Sequence, residues 1–419
     1  MRTILYKFYY FITIFILTVS NCLAYVGTTT EHLLETVGYV LLLGGIIFSY
    51  LKSNRGYIFT NTSKMVVLLL ALMLPGIMMS DLTIYRKLTV VFTIVAIIIV
   101  STISDNYIKY FTIFRTMAYA CFAGVIVSTT ITVLKGISLF KYASEPTFGL
   151  IYCFNGGIRD KNVATMMISI IMSIIIYSKE MRKNKITDFI LLLISSLVIV
   201  AANSRGAWIE LAIFVFMLNY KKIEKISKKY RESIVLVLLV IAIPIVFYLY
   251  NNLIMKSETY LYRYRGLINY ISMFRNDKYI LIFGNPELAY GTGLDYATAV
   301  RSVTGWNGTI ENAWLNILIK SGILGVSAYL IIFIRATVIA LRSRNIIHKT
   351  ISLSVIITLF ISSFVAIYIQ TVHGLFGIYC YLIIGFYSGL IKKEEKYKGT
   401  MWSLCSQGKI SNIYISSTR

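Results

Sequence analysis

ITDFILLLISSLVIVAANSRGAWIELAIFVFMLNY, residues 186–220, holds two apolar runs divided by a few residues around Asn203-Ser204-Arg205-Gly206. Apolar runs of roughly 16–25 residues are long enough to cross a bilayer as helices. The stretch therefore reads as two membrane helices joined by a very tight turn. Working outward, further runs of the same kind bring the total to twelve, centred near residues 15, 42, 73, 96, 123, 170, 195, 213, 242, 325, 360 and 382. The third is short and carries Pro75. The first has the basic start (Arg2, Lys7) and small residues near Ala24 of a signal peptide, but reads better as a retained helix. Cys22 makes a poor lipoprotein cysteine because bulky Asn21 precedes it. The expected fold is all-α, a polytopic transmembrane helical bundle of about 12 helices with a long outer loop containing short helices.

Composition agrees. An ordinary chain of 419 residues would form two or three soluble domains, yet 57% of this one is hydrophobic and only 14% charged. Soluble domains run at roughly 45–50% and about 25%. With mean hydropathy +0.74 and only 4 Pro, the chain cannot hide its apolar surface in a water-soluble core. A cytosolic enzyme, a secreted disulfide scaffold and a disordered chain are excluded. The 5 Cys (Cys22, Cys121, Cys153, Cys380, Cys405) are scattered and form no CxxC pair, so they read as small core residues rather than zinc or redox ligands.

The net charge of +23 is explained by where the cations fall. With the N-terminus inside, Lys52, Arg55 and Lys64, then Lys179–Lys185, Lys221–Arg231, Arg335–Lys349 and Lys392–Lys398, all lie on the inner side. In total 27 of the 41 Lys and Arg are inner, which by the positive-inside rule puts both termini in the cytoplasm. No nucleic-acid partner is needed to account for the charge. The chain divides into helices one to nine over 1–250, a long outer loop over 251–310, three helices over 311–398 and a polar, basic tail over 399–419. Long loops in compact proteins are usually functional. This one carries Tyr260-Leu261-Tyr262-Arg263-Tyr264-Arg265-Gly266 and Tyr290-Gly291-Thr292-Gly293. A second outer loop, 136–160, is enriched in Gly and Pro. No internal repeat is apparent, which disfavours a repeat-built transporter.

Inner lysines need no further account, but outer arginines do. Six stand out: Arg159, Arg205, Arg263, Arg265, Arg275 and Arg301. Arg205 sits in the tight turn at the outer membrane surface, where a guanidinium suits phosphate oxygens bidentately; an Arg snorkelling to lipid headgroups is the alternative. The chain has 3 His. His348 lies in a basic inner loop and reads as a solvated surface residue, and His32 lies in a short outer loop. His373 opens the last helix, as either a cap or a catalyst. Of the outer carboxylates, Glu258, Asp277, Glu287 and Asp295 read as solvated charges. Glu311 stands where the long loop re-enters the membrane, where the helix dipole alone favours an acid. Glu210, inside the eighth run, is an oddity whose plain reading is a structural hydrogen bond. No DxD, HExxH, Walker A or GxGxxG motif is placed to work, so metal-dependent sugar-nucleotide chemistry and ATP hydrolysis have no support. Cations with aromatics on the outer face suit an anionic lipid-linked sugar, and an anionic solute for transport nearly as well.

Ala202-Asn203-Ser204-Arg205-Gly206-Ala207-Trp208 resembles the Ser-Arg-Gly-Ala-Trp signature of the bacterial O-antigen polymerase and O-antigen ligase superfamily. Glu311-Asn312-Ala313-Trp314-Leu315, followed by Gly322-Ile323-Leu324-Gly325, resembles that family's His-Asn-x-x-Leu and Gly-x-x-Gly. The order of the elements also agrees over residues 150–390. The resemblance implies glycosyl transfer at the periplasmic face of the inner membrane, with no cofactor, metal or nucleotide. The implied donor is an undecaprenyl-pyrophosphate-linked oligosaccharide. Arg205, with Arg263 or Arg265, would hold the diphosphate, aided by Arg159 and Arg301, as the glycosidic C–O bond breaks. Gly206, Asn312, Gly322 and Gly325 are the implied structural positions. Ligases carry His where this chain has Glu311. That favours a polymerase of lipid-linked repeat units, with Glu311 as base, His373 as an auxiliary group and possible association with a chain-length regulator. The alternatives are a ligase acting on lipid A–core and a polysaccharide flippase.

Overall fold

The computed structural model describes residues 2–51, 61–80, 83–107, 111–147, 150–159, 162–183, 185–204, 206–220, 268, 275, 278–285, 312–364, 369 and 375–406. In chain order the helices are α1 (Arg2–Val19), α2 (Thr29–Leu51), α3 (Asn61–Met78), α4 (Ile84–Tyr107), α5 (Thr112–Leu134), α6 (Asn162–Met181), α7 (Ile186–Ala201), α8 (Gly206–Tyr220), the short α9 (Lys278–Phe283), α10 (Ala313–Arg342), α11 (Ile346–Ser362) and α12 (Leu375–Ser406). Eleven of the twelve sequence-derived run centres fall on these helices; the one near 242 lies outside the described residues. Thr29–Phe48, Thr112–Leu134, Val163–Met181, Ala313–Arg342 and Leu375–Lys392 are each long and apolar enough to cross a membrane.

The bundle is layered around α6 and α12. Of their apolar windows, 78% and 83% are buried, against 33% for α2. The reason is legible in α6 (NVATMMISIIMSIIIYSKEM), where Ala164, Ser169 and Ser173 are small enough to let neighbouring backbones approach. Ser169 Oγ returns its hydrogen to Thr165 O at 2.9 Å, so a polar side chain is carried without an outside partner. Phe48, Leu68, Leu88, Phe189 and Leu197 face outward and exposed. Water would penalise such a coat, and lipid would not. α1 is packed into the bundle, with Tyr10, Ile14 and Leu17 buried and Gly38 and Gly124 facing its Leu17 and Thr18 side chains.

Basic residues crowd one end of the helices, although Lys135, Lys141 and Arg159 stand at the other. At one end lie Lys179, Arg182, Lys185, Arg342 and Arg344, tied together by contacts from α6 and α7 to α5, α11 and α12. The opposite end holds the 202–206 turn and the 136–159 segment. That segment contains an antiparallel hairpin of β1 (Phe140–Thr147) and β2 (Leu150–Phe154). The Gly and Pro content of 136–160 gave no strand signal. Instead Phe140 pairs with Phe154 and Tyr142 with Tyr152, their rings 5.4 and 5.9 Å apart. The register is irregular between Tyr142 and Thr147, where Pro146 supplies no amide hydrogen. The hairpin leads into Gly157 and Arg159, whose backbones bond Leu23 and Asn21 after α1.

The largest difference from the sequence reading is in α10. Gly322 has φ 61° and ψ −165°, and the helix breaks there. In a straight helix Trp314 and Phe333 would stand about 28 Å apart at 1.5 Å per residue; their rings are 6.0 Å apart. The run read as a single span is two arms, 313–321 and 323–342, folded side by side. A Cβ on Gly325 would lie 3.3 Å from Ile317 Cγ2, so this glycine lets the arms touch. The second arm alone is about 30 Å long, enough to span a bilayer.

Candidate functional site

The α7–α8 turn is built by its own motif. Ala202 closes α7, its amide donating to Val198 O, and Asn203 adopts φ 49°, the left-handed conformation that Asn tolerates better than most residues. The Asn203 amide bonds Val200 O at 3.0 Å. Across the turn, Trp208 Nε1 donates to Ile199 O at 3.2 Å and staples α8 to α7. Ala202, Asn203, Ser204 and Ala207 are buried, and Gly206 begins α8. Much of the Ser-Arg-Gly-Ala-Trp signature therefore serves the reversal. Arg205 lies outside the described residues.

Glu210 follows on α8. It is 1% exposed, and its Oε2 has no hydrogen-bond partner among the described residues. Cys380, near the start of α12, is within its electrostatic reach. The structural hydrogen bond expected for this residue is thus missing at that oxygen. A buried carboxylate with an unpartnered oxygen is costly. Its oddity in an apolar run was the only sequence signal.

The second motif segment sits on the folded arm of α10. Asn312 caps that arm, its side chain accepting from Leu315 N at 3.0 Å. Ala313 N donates to Ser363 O just past the end of α11, at 2.8 Å. Trp314 packs among Phe333, Phe360 and Phe364. The arm therefore starts partway down the second arm, level with Phe333, rather than at the tip. The tip is where the long loop docks: Asn285 N bonds Ile319 O at 2.6 Å. The carbonyl of Ile282 and the amide of Phe283 stand against Gly322, while Phe283 also meets Gly76, beside Pro75. α9 is one of the short helices expected in that loop.

Arg159 is half exposed; Nη1 pairs with Glu31 Oε1 at 3.1 Å. The other oxygen of Glu31 accepts from Gly27 N at 2.6 Å. Thr28-x-x-Glu31 is a capping-box pattern, so the acid that holds this arginine was readable although its partner was not. Arg275 is helical and exposed. Arg263, Arg265, Arg301, Glu311 and His373 lie outside the described residues, as do Glu258, Asp277, Glu287 and Asp295. His32 is exposed.

His348 departs from its expectation as a solvated residue. It is 7% exposed, with Nε2 3.3 Å from Glu180 Oε2. Glu180 Oε1 accepts from the Tyr387 hydroxyl at 2.7 Å, and the Phe111 and Tyr387 rings flank the imidazole. The cause is tertiary: α6 and α12 bring an acid and a phenol to the first turn of α11. Neither a scan against protein-family models nor a search of curated proteins finds a match to this chain.

Proposed function

We propose that this chain is a bacterial O-antigen or related surface-polysaccharide polymerase. It would join undecaprenyl-pyrophosphate-linked repeat units at the periplasmic face of the inner membrane as a metal-independent glycosyltransferase. On this reading it is multi-pass, spanning about twelve times, with both termini cytoplasmic. The observation that carries it is the placement of the two motif segments. The Asn203–Gly206 turn and the Gly322 tip both lie at the end of the bundle opposite the basic one, which the charge rule assigns to the outside, while Asn312 stands partway down the bundle, level with Phe333.

An acceptor sugar hydroxyl attacks the anomeric carbon of the donor. The new C–O bond forms as the bond to phosphate breaks, and undecaprenyl pyrophosphate leaves. Arg205, with Arg263 or Arg265, neutralises the charge growing on the leaving diphosphate, assisted by Arg159 and Arg301. Glu311 accepts the hydroxyl proton, and His373 assists. The only partners required are the lipid-linked oligosaccharide and the surrounding lipids; a chain-length regulator would act from outside.

A surface-polysaccharide gel of the native host with and without the protein tests this. Deletion should collapse a long ladder to core plus one repeat. Loss of every core-linked repeat with accumulating lipid-linked polymer would make the chain a ligase, and an unchanged ladder would point to another glycan or to transport. Arg205→Lys should cut polymer by about 100-fold, the size of effect seen when one transition-state donor is removed, at unchanged membrane abundance.

A further inference from the structure

A cavity of about 400 Å³ opens at the basic end, between the starts of α1, α5 and α7 and the end of α6. Lys7, Arg115 and Lys185 line it, with Tyr119, Tyr177 and Phe11 completing the wall. It follows α5 from Thr112 to Tyr119, about 10 Å along the helix. That volume falls within the range of small-molecule sites, about 300–1,000 Å³.

Its cations are held differently. Arg115 is pre-set: Nε donates to Asp188 Oδ1 at 2.7 Å, and Nη2 donates to Tyr119 Oη and Thr187 Oγ1 at 3.2 and 3.1 Å. The guanidinium lies over the Tyr119 and Tyr177 rings, 5.0 and 5.6 Å from their centroids. Tyr119 Oη in turn donates to Asp188 Oδ1 at 3.0 Å, so the acid is committed to this frame. Lys7 and Lys185 have no ion-pair partner among the described residues. Three cations thus face one cavity, and Asp188, the carboxylate beside it among the described residues, is engaged by one of them. Such charge in a walled groove calls for an anion, and a fixed guanidinium with mobile ammonium groups matches phosphate oxygens.

We propose that this cavity binds a phosphate ester at the basic end of the bundle. Two sources offer that chemistry, the headgroup of an anionic phospholipid and a soluble phosphate. The pocket lies at the end opposite the proposed transfer site, and binding there does not depend on glycosyl transfer.

The full chain, in nanodiscs of equal parts phosphatidylcholine and phosphatidylglycerol, is compared with Lys7→Gln/Lys185→Gln by native mass spectrometry. In parallel, inorganic phosphate and pyrophosphate are titrated into both proteins in phosphatidylcholine alone. A retained phosphatidylglycerol adduct, weakened on the order of 20-fold in the variant at about fivefold per lysine, identifies a lipid headgroup. Stoichiometric phosphate or pyrophosphate binding lost in the variant, without lipid preference, identifies a soluble phosphate. Failure of the native protein to bind either anion, or binding equal in both proteins, overturns the site. Both lysines lie outside the core and make no ion pair, so the variant should fold; an unchanged gel-filtration profile and melting curve check this.

Discussion

Two helix reversals at the same end of the bundle, Asn203–Gly206 and Gly322, perform similar work with different chemistry. At the first, a polar residue takes φ 49°, and four residues interrupt the apolar pattern. At the second, one glycine takes φ 61° and ψ −165° inside an apolar run. Left-handed geometry with ordinary ψ is open to Asn, whereas the region Gly322 occupies is essentially closed to any residue with a Cβ. A reversal made by Asn announces itself because Asn is polar. One made by glycine does not, since glycine barely changes hydropathy.

The strongest break in this comparison is Gly322→Ala. Backbone strain and collision with the Ile282–Phe283 backbone should together cost about 3 kcal/mol or more. A large fall in melting temperature in detergent, with loss of monodisperse protein, is expected. A variant that melts like the parent would mean the fold-back is absent. Asn203→Ala comes next at about 1–2 kcal/mol, because alanine tolerates the left-handed region poorly. Asn203→Gly should restore most of that loss, and equal melting of the two variants would refute a conformational role for Asn203. Trp208→Phe is smaller, about 1 kcal/mol for the indole bond to Ile199 with most ring packing retained. The same change at Trp314 should cost least: its indole nitrogen is buried with no hydrogen-bond partner among the described residues, and a phenyl ring keeps most of the packing against Phe333 of the second arm and Phe360 of α11.

The candidate site was legible unevenly for the same reason. Arg205 and Glu311 were singled out because charges in or beside apolar runs stand out, and both lie outside the described residues. Glu210 was noticed on that ground too, but the burial of its unpartnered Oε2 follows only from how α8 meets its neighbours. Arg159 was visible as an outer cation, while its pairing with Glu31, 128 positions away, depends on α2 meeting the segment after the β-hairpin. His348 was misread because it follows Arg342 and Arg344 and precedes Lys349, while the groups that enclose it are Phe111 just before α5, Glu180 of α6 and Tyr387 of α12.

By itself the sequence determined the helical class, the positions of nearly all described helices, the sorting of basic residues to one end and the tight turn at Asn203–Gly206. These follow from hydropathy, charge and turn chemistry, which act over a few neighbouring residues. Tertiary structure alone decided that α10 folds back, that 140–154 pairs as strands, that His348 is buried beside Glu180, and that Lys7, Arg115 and Lys185 share a cavity. Each of these depends on which helices stand side by side. That is fixed by close approach at small residues and by pairing of distant polar groups, which local composition does not encode.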